Sequence, residues 1–111
     1  MFLAAHQPAY LPDLTFFYKM SVADMFVLAD TLQFSKHGAI NRAKIKTARG
    51  INWLTVPVLT KGREGQSIAE VEINGAQAWQ HKHWKTLVVN YTYAAYFEKY
   101  ADFFANLYEK P

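Results

Sequence analysis

The side chains best suited to chemistry near the start of the chain are His6 and Gln7, which open a loop containing Pro8 and Pro12. An imidazole can give or take a proton near neutral pH, and an amide both donates and accepts hydrogen bonds. Together they could bind a phosphate, a sugar hydroxyl or the edge of a base. The alternative is that both satisfy backbone groups of the proline-rich turn. Because the loop follows an apolar run, the sequence favours a functional role.

Asp30 is the second candidate, since it follows a continuous apolar run over residues 25–29. Its carboxylate could orient a ribose or sugar hydroxyl, act as a general base, or hold a magnesium ion through water. A turn or helix-capping role is an equally good interpretation. Gln33 is close enough along the chain to share this site, and Tyr10 could contact a substrate from the first loop.

A basic segment supplies the candidate anion-binding residues, because positions 36–49 include Lys and Arg but no acid. In a strand, Arg42, Lys44 and Lys46 would project from one face, with Asn41 at its entrance. Arg can bind a phosphate or carboxylate through two hydrogen bonds, while Lys acts as a point charge. Like charges without nearby acids repel one another, which favours an anionic ligand. A solvated strand face is the alternative.

Composition and motifs exclude several other classes of protein. The chain has 111 residues and a formal net charge of +3. Because it contains no cysteine, it has neither disulfides nor a thiolate metal site. His81 and His83 would face different directions on a helix, and we predict no metal site. No apolar stretch is long enough to cross a bilayer and no signal peptide is evident, which predicts a cytoplasmic protein without a membrane partner. The sequence does not identify a cofactor.

A small α/β fold is expected to position the first candidates. Residues 2–5 are predicted to form a strand. A helix is predicted to start at Pro12 and to end near residues 21–24, and residues 25–29 to form a strand buried on both faces. This order predicts a βαβ unit with parallel strands. Ligands in open α/β sheets bind outside the carboxyl ends of the strands, so His6 and Asp30 should lie at the same edge of the sheet.

The middle of the chain is predicted to be antiparallel. Residues 43–47 and 52–58 alternate in polarity around Arg49 and Gly50, which indicates a β-hairpin. A further short strand is predicted over residues 68–73, to which Ile68, Val71 and Ile73 belong.

Two helices are predicted at the end of the chain, over residues 76–90 and 95–108. We expect Trp79, Trp84 and the tyrosines of these helices to be mostly core. The fold class is thus α/β, a single domain over residues 1–111 with a small parallel βαβ core, an antiparallel hairpin and two C-terminal helices. A second copy or a partner subunit would cover the apolar surface of those helices.

The residues described so far resemble the WbqC-like protein family, in the expected order and over most of the chain. The matching stretches are His6-Gln7-Pro8 with Tyr10-Leu11-Pro12, Phe16-Phe17-Tyr18-Lys19, Ala23-Asp24-Met25-Phe26-Val27 leading to Asp30, Gln33-Phe34, Asn41-Arg42, Lys44-Ile45-Lys46, the run from Trp53 to Val58, and Trp84, Lys85 and Asn90-Tyr91. The family occurs in settings of polysaccharide and O-antigen biosynthesis, and its members are usually longer. The resemblance implies that the chain is an N-terminal portion or a truncated member.

These observations lead us to predict a transferase-like enzyme of cell-surface polysaccharide biosynthesis. It would bind an anionic, phosphate-bearing activated substrate such as a nucleotide sugar or an acyl donor, with His6 and Asp30 as the catalytic residues. The predicted substrate-binding residues are Gln7, Tyr10, Gln33, Asn41, Arg42, Lys44 and Lys46. One alternative is a non-catalytic protein-interaction subunit of the same pathway. A weaker alternative is a nucleic-acid-binding module, which is disfavoured because most aromatic residues fall on apolar helical faces.

Overall fold

The computed structural model describes residues 1–35 and 38–110, and its mixed α/β architecture confirms the predicted fold class. In chain order the elements are β1 (Leu3–His6), α1 (Leu14–Val22), β2 (Met25–Leu28), β3 (Arg42–Thr47), β4 (Gly50–Thr55), a 3-10 turn (Ile68–Glu70), α2 (Trp79–Tyr91) and α3 (Phe97–Glu109). They divide between two compact units. The first unit contains the described residues of 1–43 and 55–74, and the second contains 44–54 and the described residues from 75 onward.

The first unit is built on the predicted βαβ arrangement. Strands β1 and β2 pair in parallel, with Leu3 opposite Met25 and His6 opposite Leu28, and α1 connects them. Asp13 caps α1, because its Oδ1 accepts a hydrogen bond from the backbone N–H of Phe16 at 3.1 Å. The helix therefore begins at Leu14, two residues later than the position of Pro12 suggests.

Helix α1 covers one face of the parallel strands through Phe16. Its ring is 6% exposed and meets the rings of His6 and Phe26 edge-on, with centroids 5.1 and 5.2 Å away. On the opposite face Met25 and Val27 are still 51% and 43% exposed. The prediction that β2 is buried on both faces is therefore wrong, because one helix packed on two strands shields only one face of the sheet.

The predicted hairpin is present as β3 and β4, joined by the two-residue loop Ala48-Arg49. The hydroxyl of Thr47 organises this loop, since it donates to the carbonyl of Gly50 at 2.8 Å and accepts from the N–H of Arg49 and the amide of Asn52, both at 3.2 Å. These bonds fix the turn, and with it the alternation of side chains along both strands.

The prediction of a strand over residues 68–73 is wrong, because the first half of this segment is the 3-10 turn Ile68–Glu70. The Glu70 carboxylate accepts hydrogen bonds from the backbone N–H of Ser67 at 3.0 Å and from its hydroxyl at 2.8 Å. This local pairing competes with an extended backbone. The second half of the segment keeps an isolated antiparallel bridge between Ile73 and Val58, beside which the N–H of Leu59 donates to the carbonyl of Glu72 at 2.9 Å.

The same bonds predict how Glu70 titrates. The backbone N–H of Ser67, and then its hydroxyl, hold the pKa of the Glu70 carboxyl below its usual value. Ser67→Ala should raise this pKa only partly, because the backbone donor remains. The ionised Glu70 carboxylate therefore stabilises the folded state. This stabilisation is fully present above the pKa of the carboxyl in the unfolded chain and is lost as the pH falls through its pKa in the folded chain. An NMR titration of the Glu70 side chain checks this, and an unchanged midpoint in the variant would contradict it.

The helices of the second unit pack through aromatic rings. Trp84 stacks on Phe97 and on Tyr108, with ring centroids 6.1 Å apart in each case. His83 is 6% exposed, and its ring meets Trp79 edge-on at 5.3 Å. The predicted helices are thus confirmed, with α2 at Trp79–Tyr91 and α3 at Phe97–Glu109. None of the helices in the described part of the chain is long and apolar enough to cross a membrane.

The expectation that the tyrosines of these helices are mostly core is only partly confirmed. Tyr108 is buried, whereas Tyr96 is largely exposed and Tyr100 is half exposed. The reason is that α3 carries two adjacent apolar stripes and α2 packs against only one of them. Phe103 and Leu107 lie on the exposed stripe with Tyr100, following helical spacing.

Candidate ligand site at the ends of the parallel strands

A pocket of about 340 Å³ lies at the carboxyl ends of β1 and β2, within the first unit. Its lining residues are Ala5, His6, Gln7, Lys19, Ala29 and Leu32. This is the edge of the sheet at which the sequence predicts a ligand site. Two of the predicted site residues, His6 and Gln7, therefore line one pocket.

His6 is held in a defined orientation at the end of β1. Its Nδ1 lies 2.9 Å from the backbone carbonyl of Gln7, and its ring rests edge-on against Phe16 at 5.1 Å. A carbonyl can only accept, so this contact assigns the hydrogen to Nδ1. In the neutral ring Nε2 then carries the lone pair. That nitrogen could act as a base or accept a hydrogen bond, and in the charged ring it would donate.

Lys19 is a pocket residue that the sequence reasoning missed. It lies near the end of α1, is half-buried, and directs its ammonium to the carbonyl of Ala5 at 3.4 Å. A three-donor ammonium held by one long hydrogen bond has donors left for a ligand. The signal was its spacing from Phe16, because residues three apart on a helix share a face. Since Phe16 faces the sheet, Lys19 had to lie beside it.

Asp30, Gln33 and Tyr10 are described residues of the first unit that do not line this pocket. Asp30 is exposed, and its backbone carbonyl accepts from the N–H of Ala69 at 2.9 Å. Gln33 forms an isolated antiparallel bridge with Ser67. The N–H of Tyr10 donates to the carbonyl of Ile40 at 3.0 Å. The roles predicted for these three side chains stay predictions.

Asn41 and Arg42 hold backbone in place. The side-chain Nδ2 of Asn41 donates to the backbone carbonyl of Val56 at 2.9 Å, and the backbone carbonyl of Asn41 accepts from the N–H of Val56 at 2.7 Å. Its buried Oδ1 has no hydrogen-bond partner among the described residues. The Nε of Arg42 donates to the carbonyl of Gly38 at 3.0 Å. Both predicted site residues therefore have structural contacts, and their substrate contacts stay predictions.

Lys44 and Lys46 belong to the second unit, where both are exposed on β3. The ammonium of Lys44 lies 5.2 Å from the centre of the Trp53 ring. The backbone N–H of Lys46 donates to the hydroxyl of Tyr91 at 2.8 Å. Over residues 1–35 and 38–110 there is no cluster of three or more His, Cys, Asp or Glu side chains that could hold a metal ion.

The pocket combines an ammonium, an imidazole and an amide in a small space. Lys19 can neutralise an anion, Gln7 can donate or accept, and His6 can move a proton. Ala29 and Leu32 supply an apolar wall. Such a site suits a ligand with an anionic group attached to a less polar body.

Comparisons with known proteins place the chain in a family. A model of the WbqC-like protein family matches residues 7–111. A protein of Mycobacterium tuberculosis described as uncharacterised is 40% identical over 106 residues, which cover 96% of this chain and 46% of that protein. The chain thus spans less than half the length of this relative. No solved structure matches this chain. The match over nearly its whole length shows that the chain belongs to the WbqC-like protein family.

Proposed function

We propose that the pocket at the ends of β1 and β2 binds the phosphate of an activated substrate, such as a nucleotide sugar or an acyl donor. In this proposal the protein is a transferase-like enzyme of cell-surface polysaccharide biosynthesis. The observation that carries it is the presence of Lys19, His6 and Gln7 around one pocket at the carboxyl ends of parallel strands. Membership of the WbqC-like family is consistent with it.

Each pocket residue has a separate task in the proposed reaction. With a nucleotide sugar, the acceptor oxygen bonds to the sugar carbon as the bond from that carbon to the phosphate oxygen breaks, and the positive charge of Lys19 stabilises the negative charge that the departing phosphate gains. With acyl-coenzyme A, Lys19 serves only to bind a phosphate of the donor. His6 takes the proton of the acceptor hydroxyl on Nε2, the nitrogen left free by the contact of Nδ1 with the Gln7 carbonyl. The Gln7 side chain orients the substrate through its amide.

The proposal is tested by thermal unfolding in the presence of candidate ligands. Purified protein is heated in a calorimeter with nucleotides, nucleotide sugars and acyl-coenzyme A. A ligand at one hundred times its Kd should add about 2.7 kcal/mol to the free energy of unfolding. Lys19→Gln should weaken binding about tenfold or more, because a hydrogen bond to a charged group is lost.

Lys85→Gln is the matched control, since it removes the same charge from an exposed position on α2. Equal weakening by both variants would show that the ligand responds only to net charge and would contradict a site at Lys19. Absence of a shift with every ligand class would also contradict the proposal. That result would favour the alternative of a non-catalytic interaction subunit.

The same measurement also tests whether the lysines of β3, which the sequence predicts as anion-binding residues, bind the phosphate. The pocket has its own cation in Lys19, so the proposal does not require Lys44 and Lys46. A double variant, Lys44→Gln with Lys46→Gln, should keep the ligand shift if Lys19 holds the phosphate. Loss of the shift in this double variant would return the anion-binding role to the strand.

A further inference from the structure

The solvent face of the hairpin is a surface that the proposed pocket does not use. Side chains alternate along both strands, so that Ala43, Ile45 and Leu54 are buried. The other face presents the residues between them, which are Lys44, Lys46, Ile51 and Trp53. The contact of Lys44 with the Trp53 ring at 5.2 Å shows that the two side chains share this face. We call these four residues and Arg49 the hairpin surface.

The hairpin surface is positively charged and has no acidic partner. Lys44, Lys46 and Arg49 lie on a segment, residues 44–54, that contains no Asp or Glu. Among the described residues, none of the three has a carboxylate within ion-pair distance. Like charges held on one short hairpin repel one another, and a bound polyanion would remove that repulsion.

The hairpin surface also exposes a large aromatic ring. Trp53 is 43% exposed and Ile51 beside it is 70% exposed. A base can stack on such a ring whatever its identity, because every base has a π-face. Exposed aromatic rings on the strands of an open sheet are a recurrent way of binding single strands. Trp53 is therefore not one of the aromatic residues on apolar helical faces that weigh against nucleic-acid binding.

Strand geometry matches these charges to an extended polymer. Lys44 and Lys46 are two residues apart on β3, which separates them by about 7 Å along the strand. Their ammonium groups can therefore meet successive phosphates of an extended chain while a base rests on Trp53.

We propose that the hairpin surface binds single-stranded nucleic acid, with Lys44, Lys46 and Arg49 on phosphates and Trp53 stacked on a base. The proposal is independent of the pocket, because every residue it uses belongs to the second unit. It adds a polymeric phosphate ligand to the small phosphate-bearing substrate proposed above.

The test is fluorescence anisotropy with fluorescein-labelled twelve-residue oligo(dT) and oligo(rU), measured at several salt concentrations. Log affinity should fall with log salt with a slope of about −2, from about −0.7 for each of the phosphate contacts. The double variant Lys44→Gln with Lys46→Gln should reduce that slope by about 1.4. Trp53→Ala should weaken binding about tenfold, and Trp53→Phe, which keeps a stacking ring, should weaken it less.

A double variant on α2, Lys82→Gln with Lys85→Gln, is the matched control, because it removes the same charge from exposed positions of the same unit. An equal loss in this control would overturn the proposal by showing that only net charge matters. Binding of heparin that is as tight and is insensitive to Trp53→Ala would assign the surface to anionic glycans instead. Failure to bind either oligonucleotide would overturn the proposal while leaving the calorimetric result for the pocket untouched.

Discussion

Replacing Phe16 with Ala should lower the free energy of unfolding of the first unit by about 3 to 5 kcal/mol, the usual cost of removing a buried phenyl ring. Phe16 is the most buried residue of α1 and meets the rings of His6 and Phe26 edge-on. Without it α1 has no buried side chain. Hydrogen exchange of the β1 and β2 amides would report the loss as faster exchange in denaturant-free buffer.

Phe17→Ala is the control for this prediction, because Phe17 is the adjacent residue of α1 but is half exposed. Its removal should cost about 1 kcal/mol or less. Comparable losses in the two variants would mean that the helix is not anchored to the sheet through Phe16. Phe16→Ala should also weaken ligand binding in the pocket, since it removes the ring that orients His6.

Trp84→Ala should have the largest effect on the second unit, about 3 kcal/mol. Its indole stacks on Phe97 and Tyr108, so it joins α2 to both ends of α3. Truncation removes both stacking contacts and leaves space that the helices can fill only by shifting. The expected result is faster hydrogen exchange along α3 and a lower unfolding temperature in circular dichroism.

The comparison for Trp84 is Tyr100→Ala, which truncates an aromatic side chain of α3 that is half exposed. We expect a change of about 0.5 kcal/mol or less, as for other surface positions. If Tyr100→Ala is as harmful as Trp84→Ala, the exposed stripe of α3 must be covered in solution. Sedimentation at several protein concentrations would then identify self-association as the cause.

Pattern and turn chemistry were enough to predict most of the fold. The βαβ unit followed from two apolar runs with a helical pattern between them, and the hairpin followed from alternation around Arg49-Gly50. The wrong predictions concern a local side-chain hydrogen bond and the exposure of one face of the parallel strands. Glu70 pairs with Ser67 and bends a segment whose Ile and Val residues favour a strand. The exposure of β2 could not be predicted, since periodicity cannot show whether a second layer covers a sheet.

Only part of the candidate site was predicted, because a long side chain can place its charged group far from its own backbone. His6 and Gln7 line the pocket because they end a strand, and the carboxyl end of a strand can be located from sequence. Lys19 was missed because its backbone belongs to the helix while its ammonium reaches the strand. A long flexible side chain separates the position in the sequence from the position of the charge.

The division into two units has an optical consequence. The three tryptophans of the chain, Trp53, Trp79 and Trp84, all belong to the second unit. Indole emission excited at the red edge of the absorption band therefore originates entirely in the second unit. A dye-free fluorescence melt would report on the hairpin and the two C-terminal helices through their own side chains. Phe17→Trp would place an indole in the first unit, and the difference between the melts of the variant and the parent protein would report on that unit.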